Sequence, residues 1–331
     1  MGPHVVLCTY NGARFLRAQL DSIARQTRPV DCVHAFDDGS DDDTLAILHD
    51  AAARLPMKIV RNPTRLGATG NYAAALAAVR DAVAGASTGG GNDPLILLCD
   101  HDDIWHPCKV QALADALAAQ PAALLAASDA CVLDAGRGAG DTPLAARLGV
   151  PAGGYPTSAL WLAALLRRNR LVGATFALRA ALLDQAFPVP LGFWHDEWLA
   201  LLAVAQDALC WVPEPLIDYR LHDANAAGLR QIGLAATWTG AQGDGRAHHA
   251  AKAARLVALR ERIDALGPRV PSAQRGCVDA AARFWQRRAA LPSARLARGP
   301  AVVDMLRSHQ YTTFAGGLRS ALRDLIGPGL S

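Results

Sequence analysis

Three carboxylates fall within four residues, at Asp100, Asp102 and Asp103 of the segment LILLCDHDDIWHPCK, directly after the apolar run 95–99. Carboxylates so close repel one another, and oxygen-only clusters of this kind hold hard divalent cations, so the pattern points to Mg²⁺ or Mn²⁺. Asp100 and Asp102 lie two apart, which on an extended chain puts both side chains on one side; they are the predicted metal ligands, and Asp103 is expected to point away. The plainer expectation is an acidic turn that caps the next helix. A second acidic pair, Asp196 and Glu197 in WHDEWL, opens a helical pattern, where carboxylates also suit the helix dipole.

The elements that must position these acids can be read from the apolar pattern. An uninterrupted apolar run of strand length is what a covered parallel sheet requires, and ligands of such sheets sit beyond the carboxyl ends of the strands. Runs 4–8 and 32–36 end in Thr9, Tyr10, Asn11 and Gly12 and in Asp37, Asp38, Gly39 and Ser40, and helical patterns follow both. Strand, polar turn, helix and strand form the βαβ unit, which brings these turns to one edge. A fourth run, 57–60, leads through Arg61, Asn62, Pro63, Arg65 and Gly67 to a helix expected from about Asn71 to Ala84. Further on, the pattern predicts a strand over 123–128, a helix over 158–168, a short strand within 169–179 with Gly173 at a close approach, and a helix from Trp194 to about Ala208. The stretches 85–93 and 134–143 read as loops. No turn has the glycine spacing of a dinucleotide fingerprint or a P-loop.

Taken in order, TYNGARFLRAQLDSIARQT, DDGSDDDT, RNPTRLG, DHDDIWHPCK, HDEWL and YRLHDAN resemble the family-2 glycosyltransferases of the GT-A fold, most closely their bacterial rhamnosyltransferase-like branch. The resemblance spans about residues 4–228. It implies an α/β fold with a mostly parallel, Rossmann-like sheet flanked by helices, occupying residues 1–240, with a helical C-terminal region at 247–331. It also implies inverting transfer of a single sugar, rhamnose first among the candidates, from a dTDP- or UDP-linked donor to a glycan or lipid-linked acceptor. The setting implied is surface polysaccharide synthesis.

Residue roles follow from the same likeness. Thr9 and Asn11 are expected beside the nucleotide, Asp38 at the pyrimidine or ribose, Arg65 near the base, and Asp100 at the ribose or the ion. Asp102 anchors the metal with Asp100, and His222 of YRLHDAN adds an imidazole ligand. Asp196 matches the family's base position, with Glu197 as its neighbour and competitor. His101 is a spectator, Asp41, Asp42 and Asp43 form a solvated helix start, Asn71 is either a helix cap or a donor contact, and Lys109 either touches phosphate or lies on a solvated face. The chemistry is coherent: a divalent cation neutralises the departing diphosphate, while a carboxylate takes the proton of the attacking hydroxyl.

Composition sets outer bounds. The chain has 331 residues, 51% hydrophobic and 19% charged, enough for a large folded α/β domain with an addition. A net charge of +3 gives no nucleic-acid footprint. Seven cysteines without a C-x-x-C pair suggest a reducing, cytoplasmic setting, and no apolar run approaches the length of a membrane span. Arginines and apolar residues interleave beyond 247, among them Arg255, Arg262, Arg288 and Arg298 beside Leu256, Leu259, Phe284, Trp285 and Leu291. That mixture suits either peripheral contact at the inner face of the membrane or packing against the catalytic domain.

Rival readings are a haloacid dehalogenase phosphatase, a sugar-nucleotide pyrophosphorylase and a catalytically silent glycan- or nucleotide-binding protein. The first needs Thr or Val two places beyond its D-x-D, where this chain has Ile104, and the second a lysine-bearing glycine loop, for which GARFLR is a poor match. Intact Asp100, Asp102 and Asp196 speak against the third. The Q-x-x-R-W signature of processive synthases is missing.

Overall fold

The computed structural model describes residues 2–84, 93–134, 138–140, 143–222 and 245–327. Residues 85–92, within the first predicted loop, and Asp223 to Asn225 of YRLHDAN lie outside this set. A nine-stranded sheet, which is the expected GT-A core, runs in the order β3-β2-β1-β4-β8-β6-β9-β5, with β7 beside β6. Its strands are β1 His4–Thr9, β2 Cys32–Asp37, β3 Met57–Arg61, β4 Leu95–Asp100, β5 Ile104–Trp105, β6 Leu125–Asp134, β7 Gly138–Gly140, β8 Phe176–Arg179 and β9 Leu209–Leu221. The longer ladders, β1 with β2 and β4, β2 with β3, and β6 with β9, are parallel, whereas β8 and β5 pair antiparallel with their neighbours.

Register explains why the polar turns converge. Thr9 pairs with Asp37 and Cys8 with Asp100, so the ends of β1, β2 and β4 are level at one edge. Helices α1 Ala13–Ala24, α2 Thr44–Ala51 and α3 Gly67–Val83 return the chain between the first four strands. Each buries a stripe, such as Leu16, Leu20 and Ile23 on α1, against the sheet, as the right-handed βαβ crossover demands. The α3 helix begins four residues ahead of the expected Asn71, which is therefore no cap: its amide donates to the Phe36 carbonyl at 2.9 Å.

Further helices are α4 Lys109–Ala119, α5 Leu144–Leu148, α6 Ser158–Arg167, α7 Ala180–Ala186 and α8 His195–Ala205. The stretch expected as a loop at 134–143 instead contains β7, paired antiparallel with the end of β6 from Val132 to Asp134.

Beyond 245 come α9 Gly245–Ala265, α10 Ser272–Ala289, α11 Arg295–Arg307, α12 Gln310–Phe314 and α13 Leu318–Ile326. The five apolar residues named for these helices belong to the core, whereas Leu296, Leu318, Leu322 and Ile326 are exposed. Leu256, Leu259, Phe284, Trp285 and Leu291 are buried in the same cluster as Trp161 of α6 and Trp198 of α8. Two of the arginines are equally committed: Arg288 makes a buried bidentate pair with Asp324, and Arg298 donates to the carbonyls of Pro292, Ser293, Asp324 and Gly327. No helix among the described residues is long and apolar enough to cross a membrane.

Candidate active site

The acidic segment leaves the sheet as soon as β4 ends at Asp100, and the chain bends before the short β5. That bend alters the expected aim of Asp103. Oxygens of Asp100, Asp102 and Asp103 all lie within 4.8 Å of one another, so the third acid joins the pair instead of pointing away. One Asp103 oxygen accepts from the Arg220 backbone at 3.0 Å, while Oδ2 is buried without a hydrogen-bond partner among the described residues. Burial first, and then the neighbouring carboxylates, push the Asp103 carboxyl well above the usual range; Asp100 is raised for the same reasons. Clustered, desolvated carboxyls with an orphan oxygen fit a divalent cation, whose charge would remove the repulsion they now meet. His222, just beyond β9, reaches Asp102 Oδ2 at 2.8 Å and stacks on Phe15, which places it beside the trio.

The turns named for the nucleotide are knitted together. Thr9 donates to Asp37 at 3.0 Å, and the Asp37 carboxylate also accepts from the amides of Gly39 and Ser40. Asn11, at φ 47°, donates its amide to Ser40 Oγ and accepts from the Asp41 amide, tying the turn after β1 to the one after β2. Asp38 is buried and takes Asn62 Nδ2 at 2.9 Å, the Leu66 amide at 2.7 Å and the Gly67 amide at 2.8 Å, so it shapes the turn that presents Arg65. The exposed Arg65 guanidinium stacks over the Tyr10 ring, 3.9 Å from its centroid. His101 packs so tightly on Gly12 that a Cβ there would lie 2.5 Å from its ring.

Across the edge, Gly173 opens a single 3₁₀ turn before β8, and its amide donates to Asp196 Oδ2 at 3.3 Å. The expected close approach is present, since a Cβ on Gly173 would lie 3.2 Å from that of Asp196. Burial pushes the Asp196 carboxyl up to about 7. Glu197, one residue on, points into the protein: Arg255 of α9 forms a short ion pair with it, and Lys252 lies 3.9 Å away. The two adjacent acids are thus divided, one toward the site and one toward the C-terminal helices. Trp198 is fully buried with its indole donating to Ala186, whereas Trp194 remains 39% exposed.

Sequence reasoning missed Tyr72 and His195. Tyr72 on α3 brings its hydroxyl to 2.7 Å from Asp100, and its ring stacks on His195 with centroids 3.8 Å apart. Burial pushes His195 down to about 3, so it is a neutral ring. Lys109 lies neither at phosphate nor on a solvated face: it is fully buried, its Nζ donates to the Ala174 carbonyl at 2.6 Å, and it rests over the Trp105 ring. Desolvation pushes its amine down to about 7.

Residues 4–139 match the model of the family described as glycosyl transferase family 2. That segment is under half of the chain; with the sheet and its acidic edge, the match supports the GT-A fold and glycosyltransferase activity. Among solved structures, the fold is shared with the 1–349 segment of S. aureus TarS in complex with UDP-GlcNAc, at a TM-score of 0.56 and 16% identity over 93% of this chain and 81% of that one. The same segment with UDP gives 0.50 and 18% over 87% and 92%, and longer S. aureus TarS gives 0.52 and 19% over 85% and 52%. No curated protein matches the chain.

Proposed function

We propose that this glycosyltransferase moves a single sugar from a nucleoside-diphosphate donor to a hydroxyl of a glycan or lipid-linked acceptor, with inversion, in surface polysaccharide synthesis. The observation that carries the reading is the separation of the site's acids into two groups. One is the trio Asp100, Asp102 and Asp103 within 4.8 Å of one another; the other is Asp196, held by the Gly173 amide and without an ion pair among the described residues. An inverting displacement needs this division, with charge compensation on the donor side and one carboxylate on the acceptor side.

Asp100 and Asp102, joined by Asp103 and with His222 alongside, would hold Mg²⁺ or Mn²⁺; the bound ion would neutralise charge on the diphosphate leaving group. Thr9, Asn11, Asp38 and Arg65 border the nucleoside side, Arg65 through its exposed guanidinium and the others by setting the turns. Asp196 receives the proton of the acceptor hydroxyl. A carboxyl held near 7 by burial is a stronger base than an ordinary aspartate and is still largely ionised at slightly alkaline pH. Trp194, exposed at the start of α8, offers an aromatic face to an acceptor sugar. dTDP-rhamnose and UDP-hexoses are the donors to try first, and the fold shared with a UDP-GlcNAc complex adds UDP-GlcNAc to them.

The test is a donor-hydrolysis and transfer assay across dTDP-, UDP- and GDP-sugars, with and without Mn²⁺, followed by determination of the product's anomeric configuration. Metal-dependent turnover with inversion supports the reading. Binding without turnover would favour the silent glycan- or nucleotide-binding alternative, nucleotidyl exchange with pyrophosphate would favour the pyrophosphorylase, and retention would overturn the mechanism.

A further inference from the structure

A second set of metal-competent side chains lies on the sheet, sharing no residue with the acidic trio. Asp218 of β9 is flanked on both sides, in register with Cys131 of β6 and with Ile104 of β5. Neighbours in register project to the same face of a sheet, so Cys131 and Asp218 stand side by side. The antiparallel ladder of β5 and β9 continues one step past its last paired residues, where the His106 amide donates to the Leu216 carbonyl at 2.9 Å. Two residues beyond Ile104, the imidazole therefore returns to the face of Asp218. The outcome is that ligand atoms of His106, Cys131 and Asp218 all lie within 4.8 Å of one another, with His106 Nε2 3.0 Å from Asp218 Oδ1.

A simple His–Asp ion pair explains two of these residues but not the third. A thiol beside a carboxylate gains nothing from that carboxylate, and burial together with Asp218 and Asp129 pushes the Cys131 thiol up from its ordinary value. A cation shared by all three reverses that penalty. One nitrogen, one sulfur and one oxygen ligand is a borderline-soft set that Mg²⁺ and Ca²⁺ do not favour and Zn²⁺ does. Zinc bonds of about 2.0–2.3 Å put tetrahedral ligands roughly 3.3–3.7 Å apart, a spacing these atoms can reach through small side-chain adjustments. Access is open, because the His106 and Asp218 side chains are 30% and 33% exposed.

We propose that His106, Cys131 and Asp218 form a zinc site with a fourth position left for water, clipping β5 and β6 to β9. On binding, Cys131 forms a sulfur–zinc bond and its thiol proton passes to solvent. The clip lies next to donor-side residues along the chain, since β5 starts directly after Asp103 and β9 ends directly before His222.

The test uses full-length protein freed of metal by chelation and titrated with Co²⁺, a zinc surrogate whose thiolate complexes give a near-ultraviolet charge-transfer band. With the acidic trio filled by excess Mg²⁺, the band should saturate at one equivalent of Co²⁺ per chain and disappear on adding Zn²⁺. Cys131→Ser should abolish it, and His106→Ala and Asp218→Asn should each weaken Co²⁺ binding at least tenfold. Cys108→Ser, which changes the exposed thiol two residues from His106, should retain it, as should Asp102→Asn at the donor site. The proposal is overturned if no band forms at one equivalent, if it survives in Cys131→Ser, or if it is lost in Asp102→Asn or Cys108→Ser. Unchanged affinity in His106→Ala or Asp218→Asn would also overturn it. Because the readout is the thiolate band and not sugar transfer, failure here leaves the glycosyltransferase reading standing, and the reverse holds too.

Discussion

The ring of Tyr72 lies nearly parallel to the imidazole of His195, at 16° with centroids 3.8 Å apart, while the Tyr72 hydroxyl sits 2.7 Å from Asp100. A single buried side chain thereby touches a donor-side carboxylate and the residue preceding the proposed base. Its influence on the two halves of the site can be separated by substitution.

Tyr72→Phe removes the hydroxyl and keeps the ring. A hydrogen bond to a charged group is worth about 1.5–3 kcal/mol, so the expected outcome is roughly a tenfold or greater change in Mn²⁺-dependent donor affinity, with kcat for the remaining complex altered much less. Tyr72→Leu removes the stacking surface as well, and kcat should fall along with affinity. Calorimetry with nucleoside diphosphate and Mn²⁺, set beside steady-state rates, distinguishes these outcomes; equal kcat for both variants would mean that the stacking does not position Asp196.

Asp196→Asn should lower kcat by roughly 10²–10⁴ while leaving nucleotide and metal binding intact. The pH dependence has a definite sign. With its carboxyl pushed up to about 7, Asp196 is protonated and inactive as a base below that value, so the rate should rise as pH passes through about 7. Stability runs the other way: the folded state binds a proton that the unfolded chain has already released between the ordinary aspartate range and about 7, so this carboxyl destabilises the fold progressively as pH rises across that window. Asp196→Asn should therefore melt above the parent at pH 8, by about 2–4 °C per kcal/mol relieved, and the difference should shrink by pH 5.

Glu197→Gln should behave differently from its neighbour. Glu197 is buried against Arg255 and Lys252, and losing its charge leaves those α9 cations without their carboxylate. The expected cost is roughly 1.5–3 kcal/mol of stability, with much of the catalytic rate retained in the folded fraction. Denaturant titration and rate measurement on the same preparation check this; a stable but inactive Glu197→Gln would move the base one residue along.

Legibility in the sequence followed local physics. The strands β1, β2 and β4 were marked by uninterrupted apolar runs, and each ends within one residue of the expected place, because burial on both sheet faces leaves no other pattern. Residues 209–221 carried no such signal: Pro213, Glu214 and Pro215 are exposed in the middle of β9, and the partner ladder shifts register after Ser128. Period-two reasoning failed at Asp103 because it assumes an extended chain, and the chain bends directly after Asp100. For Arg288, the arginine and apolar pattern allowed either a membrane face or a core. The decision belongs to Asp324, 36 residues away, which no local pattern reveals.

Asp103 supplies the last expectation. As an added member of the acidic trio it should contribute to cation binding, and as a buried carboxyl raised by burial and by Asp102 and Asp100 it should weaken the metal-free fold. The sign follows from linkage: a carboxyl raised in the folded state costs stability as pH climbs above its unfolded value, and a cation offsets that cost. Asp103→Asn preserves an oxygen for the Arg220 amide while removing the charge. The variant should melt above the parent at pH 7.5 without metal, gain less from added Mn²⁺, and bind Mn²⁺ about tenfold or more weakly. Melting curves with and without Mn²⁺ provide the check. An Asp103→Asn protein with the parent's Mn²⁺ midpoint would confine the metal site to Asp100, Asp102 and His222 and leave Asp103 as a support for β9.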